Sequence, residues 1–369
     1  MRVVPINCIK ANSVLAKTIY NKRGNVLLKK GVELTESLLE KILENGIQMV
    51  YINDQYTEGE IEDIIKPELK QKAIEAIKDT YSQAIVSVQS ELKSASTLKQ
   101  KNNAKLKDNY IQNINKLSAT LVEEILSKTS TMINLVDIKT MDNYTYEHSL
   151  NVAVLSLVLG VQMKLNQKDL VDLCVGAILH DIGKVMIDPN ILMKLNRTEE
   201  EENVYKSHAD EGYKYLKEYY HLSGRCRIIA FQHHERWDGL GFPRGTAEDH
   251  IHKFARIVAI TDTYDKLTSS PYQENVVPPN EAIEYIMASG GQHFDFELAN
   301  VFVRKVNPYP VGTLVLLSNG KKAVVSADNI NYPLRPVLKV LKIEGQDEQV
   351  INLMQKTDLI IEKIIYEVE

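Results

Sequence analysis

A chain of 369 residues that is 44% hydrophobic is long enough for a sizeable core with small appendages. With 25% charged residues, a formal net charge of -5 and a pI near 6.0, it lacks the basic field that holds a protein on nucleic acid. A multi-part protein without a nucleic-acid partner is expected.

Residues 1–57 read as a small α+β module with a regulatory role. Short strands are expected around Asn21–Gly24 and Lys29–Gly31, then a helix from its N-cap Thr35 to Gly46, then a strand from Ile47 to Ile52. Residues 58–107 turn to Glu, Lys, Gln, Ser and Ala, with Ile74, Ile77, Tyr81, Ala84, Ile85, Val88 and Leu92 at helical spacing. This linker helix must bury its stripe, either on neighbouring helices or in a homodimer seam that passes a signal; Lys101–Ala104 interrupts the pattern.

Residues 108–306 are nearly all helical in pattern: Leu117–Ile133, His148–Met163, Lys168–His180, Glu199–Tyr219, Ile228–His234, Phe254–Leu267 and Asn280–Ala288. Strands do not alternate with helices and no Gly-rich phosphate loop occurs, so a parallel nucleotide-binding sheet is not expected. After Asn307–Pro310, residues 307–369 alternate and carry turn signals such as Ser318-Asn-Gly320, which predicts a small β-rich module. The fold class is therefore mainly α, a helical bundle with small modules at both ends. Cys8, Cys174 and Cys226 lie far apart without C-x-x-C spacing, and no apolar run approaches the roughly 18 residues of a membrane span. Together with the lack of a signal-peptide core, this predicts a cytoplasmic protein with no membrane partner.

Within the helical region, His180-Asp181 ends the apolar run Val175–Leu179 and opens into Ile182-Gly183-Lys184. The adjacent pair offers a nitrogen ligand and a potentially bridging carboxylate to one point, and Gly183 lets the backbone turn so that Lys184 faces the same place. Five of the nine histidines, at 148, 180, 208, 233 and 234, fall at ends or on faces of predicted helices, beside Asp181 and Asp262. Seven N and O donors are too many for one tetrahedral ion. They suit two hard-to-borderline divalent ions sharing a carboxylate inside a bundle, iron first and manganese as the alternative.

The motifs Tyr144-Thr-Tyr-Glu-His148-Ser-x-Asn151, Leu179-His180-Asp181-Ile-Gly183-Lys184, Lys206-Ser-His208, His233-His234-Glu235-Arg-x-Asp238-Gly239-x-Gly241-Phe242-Pro243 and Asp262-x-x-Asp265 occur in this order. From about Asp142 to Phe302 the chain resembles an HD-GYP domain, a subgroup of the HD phosphohydrolases. The resemblance implies a metal-dependent phosphodiesterase that hydrolyses cyclic di-GMP to a linear dinucleotide or GMP. It puts His148, His180, Asp181 and Asp262 near one ion and His208, His233 and His234 near the other, with Asp181 bridging. Metal-assisted in-line displacement without a covalent intermediate suits these parts. Asp181 and Lys184 would be catalytic, Lys184 contacting a phosphate oxygen.

Gly241, Phe242, Pro243, Arg244, Asp265, Lys266 and Tyr272 are the further substrate contacts this resemblance suggests. Asp265, one turn from Asp262, also reads as a partner that orients a ligand histidine, and Tyr144, Asn151, Glu235 and Asp238 as supports. Gly239 and Gly241 are expected to supply unusual backbone angles. The chain departs from the family in three places. Phe242 replaces the motif tyrosine but keeps a ring that can stack on guanine. Lys266 stands for the usual alanine, and Ser270 for an arginine that would bind a substrate phosphate. Serine cannot make that bidentate contact, so Lys266 or Arg244 would compensate. At Tyr144 some members carry a glutamate that permits a third metal, and tyrosine argues for two ions. Hydrolysis of another cyclic dinucleotide such as cyclic GMP-AMP, or a receptor role with weak turnover, are the competing readings.

Overall fold

The computed structural model describes residues 1–10, 13–20, 26–57, 63–93, 97–128, 144–220, 222–269, 277–329, 331–341 and 349–367, without side chains over 90–108. The chain is mainly α and divides into two compact units, one of residues 1–64 with 304–369, the other of 65–131 with 145–303.

The first unit begins with strands β1 (Arg2–Pro5), β2 (Ser13–Leu15), β3 (Ile19–Tyr20), β4 (Val26–Leu28) and β5 (Glu33–Leu34), helix α1 (Glu36–Glu44) and strand β6 (Met49–Asn53). An antiparallel sheet in the order β1-β6-β2-β5 covers α1 through Val4, Leu15, Leu34, Ile42 and Val50. Thr35 caps α1, its hydroxyl accepting from the Leu38 amide, and Gly46 leaves the helix with φ +78°. The β3–β4 pair flanks residues 21–25, which lie outside the described residues.

The second unit holds α2 (Pro67–Lys93), α3 (Thr97–Leu126), α4 (Tyr144–Gln162), α5 (Gln167–Ile178), a 3-10 turn at Ile182–Met186, α6 (Pro189–Leu192), α7 (Glu199–Lys206), α8 (His208–Tyr219), α9 (Gly224–Gln232), α10 (Lys253–Ser269), α11 (Pro279–Ala288) and α12 (Phe296–Val303). From Glu147 to Gly160 every residue of α4 is buried, as its apolar circumference requires of a central helix. Ser156 and Thr261 join it to α10 by a hydroxyl pair at 2.9 Å.

Several expectations are corrected here. Lys101–Ala104, where the apolar pattern is interrupted, does not end the helix: α3 runs straight through it, since Lys, Asn and Ala contain no breaker. The expected linker is part of the helical unit, because Ile74, Ile77, Tyr81 and Ala84 are buried against α3 and the 182–186 turn. Of the same stripe, Ile85 stays exposed and Val88 half-buried, and the side chain of Leu92 lies outside those described. The single helix expected from Glu199 to Tyr219 is two, meeting at Ser207.

The first unit closes with β7 (Leu314–Leu317), β8 (Lys322–Ala327), β9 (Val337–Val340), β10 (Val350–Asn352) and β11 (Ile361–Ile364), a sheet in the order β10-β9-β8-β7-β11. It is joined to the N-terminal module: Arg2 donates to the Tyr366 carbonyl at 3.0 Å and pairs with Asp54 at 2.7 Å, and Tyr366 packs on the N-terminal core. Among the described residues no helix is long and apolar enough to cross a membrane.

Candidate metal centre

Seven donors from five places in the chain converge inside the helical unit. His148 lies one turn into α4, His180-Asp181 follows the end of α5, His208 opens α8, His233-His234 follows α9, and Asp262 sits midway along α10. They form two groups, His148, His180 and Asp262 in one and Asp181, His208, His233 and His234 in the other, with donor atoms in each within 4.8 Å of one another. Asp181 faces both. Its Oδ2 is 3.4 Å from His180 Nε2 and 3.8 Å from His148 Nε2, while its Oδ1 is 3.5 Å from His208 Nε2 and 3.6 Å from His233 Nε2.

Close backbone approach makes this convergence possible. A Cβ on Gly183 would lie 2.0 Å from the His208 carbonyl oxygen and 2.6 Å from the Gly212 amide nitrogen, so only glycine lets the turn after Asp181 rest on α8. Gly183 is thus needed for contact rather than for a special angle. The same correction holds for Gly241, where a Cβ would meet the Arg236 amide nitrogen at 2.4 Å; Gly239, with φ +77°, does supply an unusual angle.

The ring tautomers are fixed from behind. Nδ1 of His180 faces the Ala177 carbonyl at 2.7 Å, that of His208 the Tyr205 carbonyl at 2.6 Å, and that of His233 the Ala230 carbonyl at 3.0 Å. A carbonyl only accepts, so each Nδ1 carries the proton and, in the neutral ring, each Nε2 turns a lone pair inward. His148 Nδ1 is held by Asp265 Oδ2 at 2.6 Å, and its Nε2 lies 3.0 Å from Asp262 Oδ1. Among the described residues the Nε2 atoms of His180, His208, His233 and His234 and Oδ1 of Asp181 have no hydrogen-bond partner. Buried lone pairs of the neutral His208 and His233 rings pointing at a carboxylate are costly unless a cation lies between them, so this donor set fits bound metal.

The local field agrees. Burial alone would lower the His180 pKa, but Asp181 and Asp262 outweigh it and raise it to about 9; burial dominates at His208 and lowers it to about 3. Burial favours a protonated Asp181, yet Lys184 and His180 hold its carboxyl well below the usual range. Two lysines face these carboxylates, Lys184 Nζ at 2.5 Å from Asp181 Oδ2 and Lys266 Nζ at 2.7 Å from Asp262 Oδ2.

The remaining expected residues are sorted by place. Asp265, buried, accepts from Asn151 as well as holding His148, so both stand behind that ring, the place expected of a partner that orients a histidine. Glu235 is buried and accepts from the amides of Arg244 and Thr246, fixing the loop. Asp238 pairs with Arg236, which lowers its carboxyl pKa to about 2, and accepts from the Leu240 amide. Phe242 stacks on His234 at 4.5 Å and meets His208 edge-on, so one ring face is taken by a donor histidine. Pro243 follows in the same loop, half-buried. Arg244 turns its guanidinium to Phe231, 5.9 Å from the ring centre. Tyr144 is buried at the start of α4, and Tyr272, like Ser270, lies outside the described residues. Sequence reading missed Tyr205, whose carbonyl anchors His208 and whose ring lies 5.7 Å from Lys184 Nζ; its only signal was its place three residues before a donor histidine.

Residues 120–298 match the family model of the HD domain, and residues 314–369 that of the KOW domain associated with HD domain. A cyclic di-GMP phosphodiesterase of Pseudomonas aeruginosa is 35% identical over 229 residues, covering 60% of this chain and 55% of its own length. A cyclic di-GMP phosphodiesterase of Thermotoga maritima is 31% identical over 187 residues, 50% of each chain. A 3'3'-cGAMP-specific phosphodiesterase of Vibrio cholerae is 32% identical over 191 residues, 51% of this chain and 43% of its own. The chain spans about half the length of these relatives. Over residues 120–298 it matches the HD domain family, and it carries the HD-GYP motifs in order. HD domains are metal-dependent, and the two His/Asp groups here can hold metal.

Proposed function

We propose that this chain is a phosphodiesterase that hydrolyses cyclic di-GMP to the linear dinucleotide, to GMP, or to both, using two divalent ions, iron first and manganese as the alternative. One observation carries the reading: the two oxygens of Asp181 face two separate donor groups, the arrangement of a shared carboxylate. His148, His180 and Asp262 would hold one ion, and His208, His233 and His234 the other. When bound, such ions supply Lewis acidity at a phosphate oxygen and favour deprotonation of an attacking water.

The chain's own groups supply the rest. Lys184 and Lys266 carry two ammonium charges at the donor carboxylates, each partly exposed, and are suited to offset charge growing on phosphate oxygens. Lys266, which lies beside Asp262, would be the cation to compensate for Ser270 rather than Arg244, which turns to Phe231. Phe242 and the loop held by Glu235 would shape the mouth for a base. The terminal modules are proposed as regulatory appendages, and a cytoplasmic setting fits both a second-messenger substrate and the three free cysteines.

Cyclic GMP-AMP is the second reading, favoured by the 32% identical Vibrio cholerae relative. Iron- or manganese-loaded protein incubated with several cyclic dinucleotides, with products read by mass spectrometry, separates the readings. Cleavage of cyclic di-GMP ahead of cyclic GMP-AMP is expected. The absence of product from any of them, with metal shown to be present, would leave a receptor instead.

A further inference from the structure

Tyr81 lies on α2, 2% exposed, well away in sequence from every donor. Its hydroxyl donates to the Ile178 carbonyl at 3.2 Å and lies 3.4 Å from Ser149 Oγ. Because a carbonyl only accepts, the phenol proton goes to Ile178, and Ser149 is left to donate to the phenol oxygen. One hydroxyl thus ties together three helices: its own α2, the second turn of α4, and the last residue of α5. The ring is held in place by an edge contact with Tyr146 at 5.9 Å, and α2 also covers the 182–186 turn.

The two contacted residues matter by position. Ser149 follows His148, and Ile178 precedes His180 by two, so the bridge spans the main chain that carries two donors of one group. His208, His233 and His234 adjoin neither contact. We infer that Tyr81 is a positioning residue that sets the affinity of the ion held by His148, His180 and Asp262, and acts on the other ion only through the Asp181 that the two share. Without the hydroxyl, the end of α5 and the start of α4 lose their common tether, and the spacing of His148 from His180 relaxes. The inference rests on the two-ion reading above.

The test loads metal-free full-length protein with manganese and follows binding by calorimetry and elemental analysis. Wild type is expected to take two ions. Tyr81→Phe should bind one ion nearly as before and the other roughly tenfold more weakly, the loss typical of removing an orienting partner. Its melting temperature without metal should move by no more than roughly 4 °C, as one lost hydrogen bond predicts. Ser149→Ala, which removes the other end of the bridge, should weaken the same ion. Two ions bound by Tyr81→Phe with unchanged affinities, or both weakened equally, would overturn the inference while leaving the two-ion reading intact. A wild-type chain that takes a single ion would overturn both.

Discussion

Three donor histidines are oriented by carbonyls three residues earlier in their own chain, at Ala177, Tyr205 and Ala230, so their Nε2 atoms are aimed by local backbone rather than by distant partners. A measurable consequence concerns protons. With its pKa raised to about 9, His180 carries a proton at neutral pH in the absence of metal, and a ligand must be neutral. Metal binding at pH 7.5 should therefore release about one proton, and the release should fade as pH rises through about 9; calorimetry in buffers of different ionisation enthalpy reads it directly. Asp181→Ala should lose metal from both groups, roughly 100-fold in affinity, and with it hydrolysis; full retained stoichiometry by elemental analysis would contradict the shared role. Lys184→Ala should keep metal and lose turnover by about 100-fold. Lys266→Met should keep metal and raise the dinucleotide KM about tenfold, the value of one charge-assisted contact. At this scale the donors were legible, because His and Asp announce themselves in order. The carbonyl anchors were not, since backbone acceptors leave no residue-type signature.

Gly183 and Gly212 let the turn after Asp181 touch α8, and the spacing of the two donor groups depends on that contact. Gly183→Ala should force the turn and α8 apart, destabilising the fold by about 3 kcal/mol and lowering metal stoichiometry; thermal unfolding with metal analysis checks both. Helix α4 was readable from its apolar circumference, and α1 from Thr35 and Gly46. Helix α12 was overlooked although Asp295, whose carboxylate accepts from the Glu297 and Leu298 amides, is an N-cap signal in the sequence. The break at Ser207 left no such mark: no Gly or Pro precedes it, and the helical pattern continues on either side.

All seven donors and the groups that orient them belong to residues 65–303. That segment alone is expected to fold and to bind metal with the stoichiometry of the full chain, as circular dichroism and elemental analysis would report. The sequence divided the chain into modules at both ends of a bundle, but nothing in it linked Arg2 to Tyr366, since a contact across so much chain has no local pattern. The placement of α2 was left open between neighbouring helices and a seam for a related reason: a helical stripe declares that it must be buried, not on what. The carboxylate of Asp181 carries a consequence for how the protein responds to supply. On the two-ion reading, sites that share one anion would be thermodynamically linked, and by reciprocity each occupant would change the other's hold by the same factor. Scarcity of the cation would then be felt at both sites, so the same side chain that assembles the centre would also make it a gauge of metal availability.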